Sequence, residues 1–144
     1  MQFEGDYINC KRWNGKGYNY EGYEEFEIIN GKGEGKEYNY SGKLIFEGEY
    51  LNGKKNRKGK EYYKTGKLKF DGEYLNGTKY NGKEYDINCN IILDLENGKA
   101  KEYYEFRMIK YEGQYFNGKR WNGKLYQYCS NKKFFGNKSR KRKY

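Results

Sequence analysis

The sequence predicts an all-β protein: an elongated, single-layer antiparallel array of β-hairpins, a twisted meander of about ten to twelve short strands. Three observations predict it. A ring, charge, Gly, charge, ring alternation recurs along the chain, Asn-anchored turns follow it at intervals of 20 to 24 residues, and the 144 residues contain no proline. Alternation with period two puts both rings of such a stretch on one face of a strand. Asn-Gly favours a two-residue turn with positive φ, the strongest short hairpin signal. Without proline, no backbone N–H is missing from a ladder. Twenty glycines and the lack of a 3.6-residue apolar stripe disfavour helix.

Taken in order, six units open near residues 3, 24, 46, 70, 91 and 111, with turns anchored on Asn9, Asn30, Asn52, Asn76, Asn97 and Asn117. The first pairs "FEGDY" with "KRWNGKGY"; Tyr7 closes its opening strand, and Cys10 stands where later turns have glycine. The second, "EEFEII", has Phe26 in place of the strand glycine. The third restores the pattern with Phe46, Gly48 and Tyr50, and the fourth repeats it with Phe70, Gly72 and Tyr74. The fifth, "IILDLE", departs again with Leu93, so residues 3–42 match 70–107 as a pair of unlike units. The sixth closes with Tyr111, Gly113 and Tyr115. Six to ten residues after each anchor stands a tyrosine: Tyr18, Tyr38, Tyr62, Tyr85, Tyr103 and Tyr126. These rings and glycines are expected to be structural positions, and the Lys/Glu alternation between them a solvated face of cross-strand ion pairs. A residue other than glycine in a positive-φ turn carries strain or forces another turn type, so a local distortion is expected at Cys10, and at Cys89 after Asn88.

Composition bounds the function. Mean hydropathy is -1.37 and 35% of residues are charged, values that alone would favour disorder. Aromatic residues make up 20% of the chain, however, and each ring can bury roughly 150–250 Å², so a thin tyrosine-built core is expected in one domain. Histidine is absent, which excludes Ser-His-Asp, Cys-His and histidine-rich zinc sites. Cys10, Cys89 and Cys129 are odd in number and widely spaced, as expected of reduced thiols. No apolar run reaches the roughly 18 residues of a membrane span, and "MQFEGDYINC" lacks the order of a signal peptide. An intracellular location is therefore expected, cytoplasmic, nuclear or virion-associated.

The string "FEGEYLNGKKNRKGKEY" resembles the MORN repeat, with Gly48, Tyr50, Asn52, Gly53, Lys54 and Gly59 in the matching places. The stretch "GKEYYKTGKLKFDGEYLNG" is similar to the MORN-related variant of bacterial YwqK-type proteins. The resemblance spans the six units. The family's His between turn and second strand has no counterpart; Trp13, Arg57, Tyr80 and Trp121 fall near its place. The resemblance implies a ribbon of hairpins whose aromatics lie over neighbouring glycines, and a role in assembly, dimerisation or membrane-proximal organisation.

Two regions follow: a repeat array over 1–130 and a basic tail over 131–144. The tail carries Lys132, Lys133, Lys138, Arg140, Lys141, Arg142 and Lys143 without an acid, so the net charge of +10 falls to +3 without it. Such a cluster is a candidate contact for anionic lipid, nucleic acid or an acidic protein, and does not choose among them. "GKGEGK" at 31–36 lacks the phosphate-loop pattern and precedes no helix. Catalytic residues, cofactors and a metal are not expected, nor is a small-molecule substrate. The function expected is that of a non-enzymatic scaffold, associating with itself or other proteins through sheet edges or a face. The alternatives are an anionic-phospholipid binding module and a YwqK-type, antitoxin-like binding protein.

Overall fold

The structure, a computed structural model, describes residues 2–19 and 21–128. The tail at 131–144, with its seven cations, lies outside the described residues, as does Cys129.

Twelve strands form the sheet. β1 (Gln2–Ile8), β2 (Lys11–Tyr18), β3 (Glu24–Ile29) and β4 (Lys32–Tyr38) come first. β5 (Leu44–Leu51), β6 (Lys54–Tyr62), β7 (Leu68–Leu75) and β8 (Thr78–Tyr85) form the middle. β9 (Ile91–Glu96), β10 (Lys99–Tyr103), β11 (Ile109–Phe116) and β12 (Lys119–Leu125) complete it. They lie side by side in chain order, all antiparallel, in one open sheet. The all-β meander expected from the alternation is the architecture found. Among the described residues the one helical element is a 3-10 turn, Glu105–Arg107.

Two kinds of turn alternate at the two ends of the strands. Each hairpin closes on a two-residue turn with both φ positive, as at Asn52 and Gly53 (+52° and +65°), the geometry Asn-Gly prefers. Cys10 keeps that geometry with φ +62°. The other turn type weighed for this position is not adopted; the backbone of Cys10 holds the strained region itself. Between hairpins, five-residue connections at 19–23, 39–43, 63–67, 86–90 and 104–108 close with a backbone hydrogen bond from first residue to last. In three of them an Asx side chain organises the loop: Asn19, Asn39 and Asp86 each accept two backbone N–H groups. Each connection has one positive-φ residue, Gly22, Gly42, Gly66, Cys89 or Arg107.

A single-layer sheet has to cover one face with its own side chains. Here rings lie flat on glycines. A Cβ at Gly59 would stand 2.9 Å from the Phe46 ring and 3.0 Å from that of Tyr74. Across the middle of the sheet Gly35, Gly48, Gly59, Gly72 and Gly82 are paired strand to strand, and the row continues through Leu95 and Ala100 to Gly113 and Gly123. Phe46, Phe70, Tyr74, Leu95, Ala100 and Tyr111 form the buried cluster along it. Neighbouring rings meet edge to face, with Phe70 and Tyr74 centroids 5.3 Å apart. Ile28 and Phe26, in the off-pattern second unit, are buried too; the Phe26 ring covers Gly17 of β2.

The second strands of the regular units are bulged after the turn. The register skips at Trp13, Tyr80 and Trp121, and β6 carries two extra residues around Asn56 and Arg57. The residue after the skip can serve as a clamp. Asn14 accepts the backbone N–H of Asn30 at 2.7 Å, and Asn81 accepts that of Asn97 at 2.6 Å. Both links tie a regular unit to the off-pattern unit that follows it.

Candidate functional site

The sheet has two unlike faces and two open edges. On the ring face, the glutamate of each Lys-Glu-Tyr string turns inward instead of facing water. Glu61 on β6 accepts the Tyr74 hydroxyl at 2.9 Å and pairs with Lys79 at 3.0 Å. Glu37 on β4 accepts Tyr50 at 2.6 Å and pairs with Lys55 at 3.1 Å. Glu102 on β10 is held by Tyr115 and by both arms of Arg120. The cation of each set also covers a ring: Lys55 lies 3.7 Å from the Phe46 centroid, Lys79 4.5 Å from that of Phe70, and Arg120 5.1 Å from that of Tyr111. The Lys/Glu alternation is thus a solvated face only in part. Its lysines project outward, whereas Glu37, Glu61 and Glu102 help to roof the core.

Protonation follows from this packing. Burial, with the charge and hydrogen bond of Glu61, pushes the Tyr74 phenol above its ordinary range; Tyr50 and Tyr115 are raised by burial and their bonds to Glu37 and Glu102. Burial pushes the Glu61 carboxyl up, but Lys79, Tyr74 and Lys69 together hold it below the usual carboxylate range. Glu102 is likewise lowered, since Arg120 and Tyr115 outweigh its burial.

The opposite face carries an acid/base ladder. Odd strands present a carboxylate and even strands a lysine in one row: Glu47 beside Lys60, Lys60 beside Asp71, Asp71 beside Lys83, Lys83 beside Asp94. Row partners Lys60 and Asp71 stand 3.9 Å apart, both about half exposed. Tyr62 donates to Glu47 here at 2.6 Å, and burial with that carboxylate raises its phenol to about 12. Tyr38 donates to Glu25 in the same manner. A shallow trough of about 580 Å³ runs over the glycine row between Glu34, Glu49, Lys58 and Glu73. Beside it, the residue preceding the turn Asn is apolar and exposed in five of the six hairpins: Ile8, Ile29, Leu51, Leu75 and Phe116. Neighbouring hairpins repeat at about 10 Å, so these side chains form an apolar rim over the first four hairpins that Glu96 interrupts before Phe116.

No family model, no curated protein and no solved structure matches the chain.

The positions singled out from sequence therefore divide by environment. Phe46, Phe70, Tyr74 and Tyr111 are buried, and Tyr50 and Tyr115 are partly buried against them. Gly48, Gly72 and Gly113 face rings and opposing backbone. Tyr7 is 55% exposed. Tyr18, Tyr103 and Tyr126 make no side-chain hydrogen bond among those described, whereas the backbone oxygens of Tyr85 and Tyr126 accept the hydroxyls of Tyr63 and Tyr104. Among the described residues no group of three or more His, Cys, Asp or Glu could hold a metal ion, and no helix is long and apolar enough to cross a membrane. Sequence reading missed Glu37, Glu61, Glu102 and their cations as a set. The signal was present in two constant offsets: each glutamate precedes its tyrosine by 13 residues, and each cation follows its core ring by nine.

Proposed function

We propose that this chain is a non-enzymatic, MORN-like scaffold whose sheet is a docking platform for other proteins. The observation that carries the reading is the apolar rim: Ile8, Ile29, Leu51, Leu75 and Phe116, each 40% or more exposed, in line beside a polar trough. Isolated exposed apolar side chains are ordinary, but a row that recurs at one position of successive hairpins, edged by charges, is the form of an interaction surface. The internal chemistry supports the same reading. Glu37, Glu61 and Glu102 and the phenols of Tyr50, Tyr74 and Tyr115 on the ring face are already paired, so they serve packing. The hairpin repeats, with rings laid over strand glycines, support the MORN-like assignment.

Cross-linking in native cells, followed by mass spectrometry, tests this reading. Wild-type protein is expected to give discrete cross-linked products, and Leu51→Ser with Leu75→Ser to lose them while melting at the same temperature. An unchanged cross-link pattern in the double variant would overturn it.

A further inference from the structure

We propose that the outer edge of β1 is a receptor for an extended Gly-Lys-Glu strand of another polypeptide, with Tyr7 and Arg12 gripping its glutamate. This rests on the scaffold reading and specifies one of the partners.

Three hairpins contain the same four-part cluster: a core ring, a tyrosine four residues later, a cation nine residues later, and a glutamate from the preceding strand. The glutamate always lies directly across from the core ring, as Glu37 opposite Phe46, Glu61 opposite Phe70 and Glu102 opposite Tyr111. The first hairpin has the same parts at the same offsets, Phe3, Tyr7 and Arg12. The rings are assembled in the same way, whereas the Arg12 guanidinium, with no described carboxylate to meet it, turns to the Lys36 carbonyl on β4. Phe3 and Tyr7 meet edge to face at 5.4 Å, as Phe70 and Tyr74 do at 5.3 Å, and the Arg12 guanidinium lies 4.9 Å from the Phe3 centroid. No described residue supplies the fourth part. Among the described residues no strand lies beyond β1, and nothing stands opposite Phe3 on that side. Arg12 contacts the Phe3 and Phe26 rings and, at 3.5 Å, the Lys36 carbonyl, none of them a carboxylate. Tyr7 is 55% exposed where Tyr74 is 4%. A guanidinium that lies on the Phe3 ring and bonds only a carbonyl, with an exposed phenol beside an open strand edge, forms a site that a carboxylate would complete as a charge-assisted pair.

The register defines the rest of the ligand. In the β6–β7 joint, Gly59 faces Gly72, Lys60 faces Asp71 and Glu61 faces Phe70. The matching residues of β1 are Gly5, Glu4 and Phe3. The incoming strand therefore needs glycine opposite Gly5, to pass beneath the Tyr7 ring, lysine opposite Glu4, and glutamate opposite Phe3. This chain has that string at 35–37, 59–61 and 82–84, but β4, β6 and β8 are paired on both sides. The open strand β12 has Gly123, Lys124 and then Leu125. A second copy docked head to tail would supply the glycine and the lysine and leave the carboxylate site empty. The glutamate thus selects a different polypeptide.

The experiment uses the full chain and a fluorescent peptide of the β6 sequence, KKNRKGKEY. Binding is followed by anisotropy and placed by amide exchange. The expected result is protection of β1, with affinity reduced about tenfold or more by Glu→Gln in the peptide or by Arg12→Gln in the protein. Combining the two changes is expected to cost little beyond either alone. The peptide change needs no protein variant, so a folding defect cannot imitate it. No binding, protection at β12 instead of β1, or equal affinity for a Glu→Leu peptide would each overturn the proposal. Cross-links that still depend on Leu51 and Leu75 in that event would leave the scaffold reading standing.

Discussion

Cys10 occupies a backbone region that a side chain resists. With φ at +62° in a two-residue turn, it carries a conformational cost of about 1–2 kcal/mol that glycine would not. Cys10→Gly is expected to raise stability by about 1 kcal/mol, read as a higher urea midpoint at unchanged m-value, whereas Cys10→Ala brings no gain. The tyrosines behave oppositely according to burial. Tyr74 donates to a charged, half-buried Glu61, so Tyr74→Phe is expected to cost about 2 kcal/mol. Tyr7 has the same sequence context but no carboxylate partner among the described residues, and Tyr7→Phe is expected to stay within about 0.5 kcal/mol. Equal losses for the two substitutions would contradict the cluster assignment.

At the scale of the strand, the ladder within a hairpin is set by glycine. A Cβ at Gly72 would lie 2.1 Å from the Asn81 carbonyl oxygen and 2.7 Å from the Gly82 Cα. Neither backbone atom can move without opening the β7–β8 ladder. Gly72→Ala is therefore expected to destabilise by about 3 kcal/mol or more, measured by chemical denaturation. Gly66, in a connection, has open space around its Cβ position but φ +84°, so Gly66→Ala is expected to lose only the conformational cost of about 1 kcal/mol. Near-equal effects would show that ring and backbone crowding is not what the strand glycines serve.

For the whole molecule, pH acts on three joints between hairpins at once, β4–β5, β6–β7 and β10–β11. Glu61 and Glu102 titrate below the unfolded value of about 4.3, so their stabilisation is present above that pH and is lost as pH falls through their folded values. Tyr50, Tyr74 and Tyr115 titrate above their unfolded value of about 10. Their contribution is complete below that pH and is lost as pH rises beyond it. A stability plateau from about pH 5 to about pH 9 with a fall on either side is expected in thermal melts. Tyrosinate absorbance should show these phenols ionising together with unfolding. Their free titration in the folded protein near pH 10 would refute the arrangement.

How much of this was legible before folding depends on whether a property is local. Strand alternation, the Asn-Gly turns and the absence of proline are local, and they determined an antiparallel meander: a strand's period and a turn's φ depend on a few adjacent residues. The anchors from Asn9 to Asn117 marked every hairpin turn for the same reason. Which way Glu61 faces was not local. Its direction depends on the pairing of β6 with β7 across a five-residue connection, and on the Tyr74 and Lys79 groups that this register delivers. The half-built cluster at Phe3, Tyr7 and Arg12 is likewise visible only against its three complete copies in space. By itself the sequence determined that hairpins would form and where they would turn. Only the tertiary structure decided which charges serve the core, which apolar residues line up beside the trough, and where no described carboxylate completes a cluster, because residues at constant offsets along the chain meet only when cross-strand register brings them together.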